Sequence, residues 1–290
     1  MGFGIFYVSA FIVYWVVDHY AGKRRQHLKL TNICPRPEIH PTDIVVPGGD
    51  LAISDTEAHR ILSKRFPYYH SLAEEQKRYF VLRLQRFMQQ KVFIIKDDEG
   101  FKEMPLLASA SAIQLTFGLK DYFLPFYKYI RIYPTEYVSD DLLKVLAGNV
   151  HGNIITIAWN HLLKGYENGS DGSNTALHEM AHALDIQKME VEKNYAKRFA
   201  KRYRELMTTC EGAFEKEAKG MVNLYSSYAD KNLQEFWAES VELFFEKPAE
   251  LQSIHPAVFE KMVLVINQNP HRKENPVVRK DNFRYFFKWE

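Results

Sequence analysis

The spacing of apolar residues along the chain predicts helices joined by a few short strands. Ser54 and Ser71 each stand three residues before a glutamate, a capping pattern that predicts the start of a helix at both positions. Short apolar or alternating runs between the helices predict strands over Val92–Ile95, Tyr129–Tyr133 and Asn153–Trp159. The whole pattern predicts an α+β domain that is mostly helical, with a small sheet.

An uncharged apolar segment opens the chain. It runs from Gly2 to Val17 and is followed by Lys23, Arg24 and Arg25. We predict that residues 1–22 form a hydrophobic helix that crosses the membrane once, a buried core helix being the alternative. Because the basic residues follow this helix, the rest of the protein is expected to face the cytoplasm. Residues 23–53, rich in proline, are predicted to be a linker, and residues 54–290 the main domain.

Composition narrows the range of functions. The chain has 38 Lys and Arg against 36 Asp and Glu, a net charge of +2, which gives no indication of nucleic-acid binding. Its two cysteines, Cys34 and Cys210, are far apart in sequence. We therefore predict no disulfide framework, and cysteine usage of this kind favours a reducing compartment or simple core packing.

The segment with the clearest chemistry is His178-Glu-Met-Ala-His182. Two histidines four residues apart on a helix lie on one face, where both imidazoles can bind the same zinc ion. Glu179 follows the first histidine and is placed to take a proton from a water held in the open position of the metal. The apolar residues around the motif recur at helical spacing, which predicts that this segment is a helix.

A catalytic zinc needs a third protein ligand. A third histidine is excluded at the metzincin spacing, because Asp185 and Lys188 stand where that motif has Gly and His. The predicted helix Asn232–Glu246 is apolar nearly all round, apart from one stripe of glutamates: Glu235, Glu239, Glu242 and Glu246. Such a stripe is either the solvated face of the helix or a face turned towards a metal.

Two segments together resemble the Mlc titration factor A family of zinc peptidases. They are His178–Asp185, with the two histidines, and Tyr228–Pro248, in which a tyrosine precedes a glutamate by seven residues. The likeness covers roughly residues 60–270. It implies a zincin-like metallopeptidase fold, and its active-site layout is similar to that of the anthrax lethal factor protease.

The resemblance also implies roles for individual residues. His178, His182 and Glu235 are expected to bind one Zn²⁺ per chain, Glu179 to be the general base, and Tyr228 to stabilise the transition state. Glu239, one turn beyond Glu235, is then expected to hydrogen-bond a ligand or the substrate terminus.

Two further expectations concern Glu242 and Asp185. Of Glu235, Glu239 and Glu242, we expect Glu242 to contribute least to metal binding and activity. Asp185, one turn beyond His182, is placed to orient a ligand histidine.

The implied activity is hydrolysis of peptide bonds, aminopeptidase-like on small peptides. The strand that precedes the histidine helix could pair with an extended peptide substrate, or be an ordinary strand inside the sheet. A regulatory binding protein that sequesters a transcriptional regulator, with a structural or vestigial zinc site, is the alternative. It has support from the resemblance, because the founding member of the family binds a repressor.

Overall fold

The computed structural model describes residues 37–97, 102–139, 144–187, 197–226, 229 and 232–278. The predicted membrane helix over residues 1–22 lies outside this range, and so does Tyr228. None of the helices within the described ranges is both long and apolar enough to cross a bilayer. The fold described below lies in the compact unit that runs from Ile39 to Glu290.

The architecture is α+β, with a five-stranded mixed sheet and helices packed against it. The strands of this sheet are β1 (Ile44–Pro47), β2 (Val92–Ile95), β3 (Tyr129–Tyr133), β6 (Gly148–His151) and β7 (Ile154–Ala158). Their order across the sheet is β1-β2-β3-β7-β6. The strands β2, β3 and β7 run parallel, whereas β1 and β6 are antiparallel to their neighbours. Strands β4 (Tyr137–Ser139) and β5 (Lys144–Leu146) form a separate antiparallel pair.

The helices account for most of the remaining described residues. They are α1 (Asp55–Arg65), α2 (Pro67–His70), α3 (Glu74–Gln89), α4 (Glu103–Thr116), α5 (Trp159–Glu167), α6 (Thr175–Ile186), α7 (Lys197–Ala218), α8 (Leu233–Glu246), α9 (Pro248–Ile254) and α10 (Pro256–Ile266). A 3₁₀ turn over Gly48–Asp50 follows β1.

Local sequence signals account well for several of these boundaries. Ser54 caps α1 by accepting a hydrogen bond from the backbone N–H of Glu57, as its spacing predicts. The same prediction for Ser71 is wrong. Helix α3 starts after Ala73 without a side-chain cap, and the Ser71 hydroxyl donates to the carbonyl of Tyr68 instead. Strand β1 lies inside the predicted linker, so the last part of residues 23–53 is built into the sheet.

The strand before the histidine helix is an interior strand. All five residues of β7 are buried, and β7 pairs with β3 on one side and with β6 on the other. Its alternative interpretation as a free edge is therefore wrong, and β6 is the edge strand at this end of the sheet. A continuous apolar run is what a strand covered on both faces requires.

Helix α6 is held in the core between β6, β7, α4 and α8. Its apolar face includes Leu177, Met180 and Leu184, which are all fully buried. From α8, the indole Nε1 of Trp237 donates to the carbonyl of Ala181 at 3.0 Å. This bond, with the packing around it, fixes the position of α8 against the helix that carries both histidines.

Candidate metal centre

The two histidines project from the middle of α6, which begins at a well-formed cap. The Asn174 side chain accepts a hydrogen bond from the backbone N–H of Leu177 at 3.1 Å. His178 and His182 follow one turn apart, and their Nε2 atoms lie 3.1 Å from each other. Helical periodicity alone predicts that the two rings lie on one face. The structure shows both rings partly buried, and both within reach of the same carboxylate.

Glu235 meets the histidines from the first turn of α8. Asn232 caps this helix by accepting from the N–H groups of Gln234 and Glu235, at 3.0 Å each. The Oε2 atom of Glu235 then lies 3.1 Å from Nε2 of His178 and 3.6 Å from Nε2 of His182. Together the three residues form a candidate metal-binding group.

The spacing of the three donor atoms fits a tetrahedral metal. Ligand atoms about 2.0–2.1 Å from a tetrahedral zinc lie about 3.3 Å from one another. The observed separations of 3.1, 3.1 and 3.6 Å bracket that value. Two imidazoles and one carboxylate suit a borderline-soft ion, and three protein ligands leave a fourth position open.

Glu242 is the glutamate that supports a candidate ligand from behind. Its Oε1 lies 2.7 Å from Nδ1 of His178, on the opposite side of the ring from the candidate metal position. A carboxylate at this place fixes the orientation of the imidazole and raises its basicity towards a metal. This contact leads us to expect a larger contribution of Glu242 to metal binding than the sequence suggested.

Glu239 was expected to hydrogen-bond a metal ligand or the substrate, but in the structure it contacts Ser226. The carboxylate of Glu239 accepts from the backbone N–H of Ser226 at 2.9 Å and from its hydroxyl at 2.5 Å. At 100° per residue, Glu239 and Glu242 lie on opposite sides of the direction of Glu235, by about 40° and 20°. The smaller rotation keeps Glu242 facing α6, whereas Glu239 turns towards the segment that contains Ser226.

Glu179 lies against the edge strand of the sheet. Only 6% of its surface is exposed. A Cβ atom added to Gly148, the first residue of β6, would lie 2.7 Å from Oε1 of Glu179. Any larger residue at position 148 would therefore displace the Glu179 carboxylate from the place it occupies. Nothing in the sequence around Gly148 indicates this role, because the two residues are brought together by the packing of β6 on α6.

Burial and neighbouring charges shift the pKa values of the centre. Burial raises the pKa of the Glu179 carboxyl above its ordinary value. Burial is also the largest single influence on Glu235 and His178, where it opposes charge, but the hydrogen bonds and neighbouring charges together outweigh it. The net effect of contacts with His178 and His182 is a lowered pKa for Glu235, and the net effect of contacts with Glu235 and Glu242 is a raised pKa for His178. Surroundings that favour a proton on His178 also favour a metal cation, so metal and proton compete for this site.

The roles of two other residues stay predictions. Tyr228 lies outside the described residues, and its role at the transition state stays a prediction. Asp185 is buried on α6, and the expectation that it orients a ligand histidine also stays a prediction.

Comparison with known proteins places the centre inside a recognised domain. The family model described as glucose-regulated metallo-peptidase M90 matches residues 52–265, a range that contains both histidines, Glu179 and Glu235. An uncharacterized protein of Synechocystis sp. is 28% identical over 225 residues, covering 69% of this chain and 79% of the relative.

Proposed function

The chain belongs to the M90 family of glucose-regulated metallopeptidases, and on that premise we propose that it hydrolyses peptide bonds with one zinc ion bound by His178, His182 and Glu235. The observation that supports this most directly is the convergence of two Nε2 atoms and one carboxylate oxygen beside a buried glutamate. The mixed sheet, with an antiparallel edge strand packed against the histidine helix, supports a zincin-like fold.

The proposed mechanism divides the chemistry between the metal and the chain. A zinc ion at this site would act as a Lewis acid, lowering the pKa of a water molecule and polarising the carbonyl of the substrate. Glu179 takes the proton of the attacking water and passes it to the leaving amine. Burial, which makes charge on this carboxylate costly, favours its acting as a proton acceptor. Glu242 holds His178 in the orientation that directs Nε2 towards the metal.

The edge strand β6 suggests how a peptide would be positioned. Its paired side hydrogen-bonds to β7, which leaves the other side of Gly148–His151 as an edge to which an extended peptide can add. Gly148 lies against Glu179, so a peptide paired with β6 would run past the proposed base. We propose small peptides as substrates and aminopeptidase-like cleavage, following the family resemblance.

The test is a digest of a peptide library with wild-type protein and with Glu179→Gln. The amide keeps the shape of the side chain but cannot accept the proton, so turnover should fall about 10²–10⁴-fold while zinc stays bound. Glu250→Gln, on the exposed part of α9, is the matched control and should cleave as wild type does. Equal cleavage by Glu179→Gln would show that the proposed mechanism is wrong.

The same variant separates the enzyme from the alternative regulatory binding protein. A regulatory effect in cells that survives Glu179→Gln belongs to binding rather than to hydrolysis. Loss of that effect together with turnover would assign it to peptidase activity.

We also propose that residues 1–22 anchor the protein in the membrane, with the peptidase domain in the cytoplasm. The apolar run and the basic residues that follow it support this arrangement. The full-length protein should sediment with membranes at high salt, and protease added outside intact cells should leave the domain uncut. Digestion of the domain from outside would reverse the proposed orientation.

A further inference from the structure

A cavity of about 360 Å³ lies beside the first residues of α6, and none of the residues that line it is a candidate metal ligand. We propose that this cavity binds a free amino acid with an apolar or aromatic side chain, and that the bound amino acid weakens zinc binding at the neighbouring centre. The volume falls in the range of small-molecule sites, which are concave and have mostly apolar walls.

Aromatic rings form much of the wall of this cavity. Phe66 and Tyr166 pack edge to face with their ring centroids 4.8 Å apart. Tyr68 and Phe245 make a second such pair, at 5.9 Å. These contacts hold the rings in place before any ligand arrives, so binding an apolar side chain between them costs little side-chain ordering.

One carboxylate faces the cavity from the end of α8. The Oε1 atom of Glu246 accepts from the side-chain amide of Asn174 at 3.0 Å, and Oε2 accepts from the backbone N–H of Gly172 at 3.0 Å. Each carboxylate oxygen has two lone pairs, so both keep a site for a further donor. Burial raises the pKa of Glu246 to about 7, and a ligand ammonium group would favour its ionised form.

Two positively charged side chains line the same cavity. Arg272 and Lys273 are both exposed, and neither side chain forms an ion pair with another residue of the described ranges. Arginine and lysine are the usual partners of a carboxylate. A simple cation would be repelled by this pair and a simple anion by Glu246, whereas the zwitterionic end of an amino acid matches both charges.

Asn174 connects the cavity to the metal centre. Its side-chain amide donates to Glu246, and its backbone N–H donates to Glu242. Glu242 in turn contacts Nδ1 of His178 at 2.7 Å. A Cβ atom on Gly165 would lie 3.0 Å from Cγ of Asn174, which shows how closely the asparagine is packed.

The direction of the coupling follows from charge. An ammonium group at Glu246 adds positive charge beside the other carboxylates of α8 and shares a Glu246 oxygen with the Asn174 amide, which weakens the bond from Asn174. Both effects reduce the hold of Glu242 on His178, so zinc affinity should fall. Linkage requires zinc to weaken amino-acid binding by the same factor.

The first experiment titrates L-phenylalanine into the full-length protein by calorimetry. We expect binding that weakens roughly tenfold for N-acetyl-L-phenylalanine and for L-phenylalaninamide, because each analogue lacks one of the two charges. Zinc affinity, measured against a competing chelator, should fall at least about fivefold with saturating phenylalanine. D-phenylalanine chelates zinc in solution equally well, so a smaller shift with D-phenylalanine identifies an effect of the protein site.

Measurements on zinc-free protein distinguish phenylalanine bound in the cavity from phenylalanine bound to the zinc itself. Phenylalanine in the cavity should still bind the zinc-free protein, and more tightly than it binds the zinc-loaded protein. Binding that requires zinc would place the amino acid at the centre and overturn the proposal. This measurement uses no peptide substrate, so it stands or falls separately from the proposed peptidase activity.

Variants locate the site. Glu246→Gln should weaken phenylalanine binding about tenfold, and Glu250→Gln, its control, should leave it unchanged. Arg272→Ala, at an exposed position, gives an independent test should Glu246→Gln fold poorly, with Lys219→Ala as the control. Wild-type affinity in both Glu246→Gln and Arg272→Ala, or no binding to the wild-type protein, would exclude the cavity as an amino-acid site.

Discussion

Two buried groups of charged side chains in this protein differ in whether the protein itself satisfies their charges and hydrogen bonds. The acidic centre between α6 and α8 contains Glu179, Glu235 and Glu242 around His178. No lysine or arginine of the described ranges forms an ion pair with these carboxylates. The basic centre is Lys91, which precedes β2 and is only 2% exposed.

Lys91 is satisfied by the protein itself. Its Nζ donates to the carbonyls of Phe123, Leu124 and Tyr127 at 2.6, 2.9 and 2.7 Å, one for each N–H of an ammonium group. The ring of Phe87 lies 4.5 Å from the same nitrogen. Leu124 has a φ of 46°, in the left-handed region that leucine rarely adopts, and Lys91 holds the loop there.

The comparison shows that buried charge alone does not indicate function. Burial lowers the pKa of Lys91 to about 7, but three backbone carbonyls accept its N–H groups, so this centre needs no ligand and has a structural role. The carboxylates of the acidic centre outnumber the positive charges around them, and a divalent cation at the three donor atoms would correct that imbalance. A buried centre in which several like charges meet without enough partners from the protein is the one to test for a ligand.

The largest effect should come from Glu235→Ala. Loss of a direct ligand must exceed the 10–100-fold cost of losing a partner behind a ligand, so zinc affinity should fall about 1000-fold or more. Peptide hydrolysis should be lost with the metal. Competition with a chromophoric chelator measures the affinity, and Glu239→Ala, whose carboxylate contacts Ser226, should lose less than about tenfold. An empty site in Glu239→Ala beside a full one in Glu235→Ala would move the ligand one turn along α8.

Lys91→Met should damage the fold and leave the metal centre alone. The substitution leaves three carbonyls without their donor, which should lower the free energy of unfolding by about 2–4 kcal/mol. Urea unfolding followed by circular dichroism measures this, and zinc affinity should stay within about twofold of wild type. A large loss of zinc affinity without loss of stability would mean that the two centres are not independent.

Glu242→Ala should weaken zinc binding about 10–100-fold without changing its stoichiometry, because the partner of His178 is removed and the ligands remain. Glu242→Gln keeps an oxygen that accepts from Nδ1–H, and it should recover part of the loss. Identical behaviour of Glu242→Ala and wild type would show that the contact to His178 has no role in metal binding.

The smallest effect concerns pH. Burial, with the charges of Glu242 and Asp171, raises the pKa of Glu246 to about 7 from an ordinary 4.5. The folded state therefore binds this proton more tightly than the unfolded state. The resulting stability is present below about pH 4.5 and is lost as pH rises through 7.

Glu246→Gln cannot titrate, so in metal-free protein its stability relative to wild type should increase by about 2 kcal/mol from pH 5 to pH 8. Urea unfolding of both proteins at the two pH values checks this, with Glu250→Gln as the control. A relative stability that falls over this range would contradict the raised pKa.

Local sequence rules predicted much of the fold. The strand over Val92–Ile95 forms as its apolar run indicates, and the strand over Tyr129–Tyr133 as its alternation indicates. Ser54 caps a helix as its spacing to Glu57 indicates. The pairing of His178 with His182 also follows from the period of one helix. These features depend on residues only a few positions apart, so a single segment contains the whole cause.

Tertiary structure alone decided which parts of different elements meet. Glu239 and Glu242 are both acidic, buried and on one stripe of α8, yet only Glu242 contacts His178. Gly148 makes room for Glu179, and Asn174 joins a cavity to the centre, through contacts that no local pattern indicates. The helical period places these glutamates on one stripe. Which of them contacts His178 depends on how α8 crosses α6. That crossing is set by the packing of the whole core, including the bond from Trp237 to Ala181.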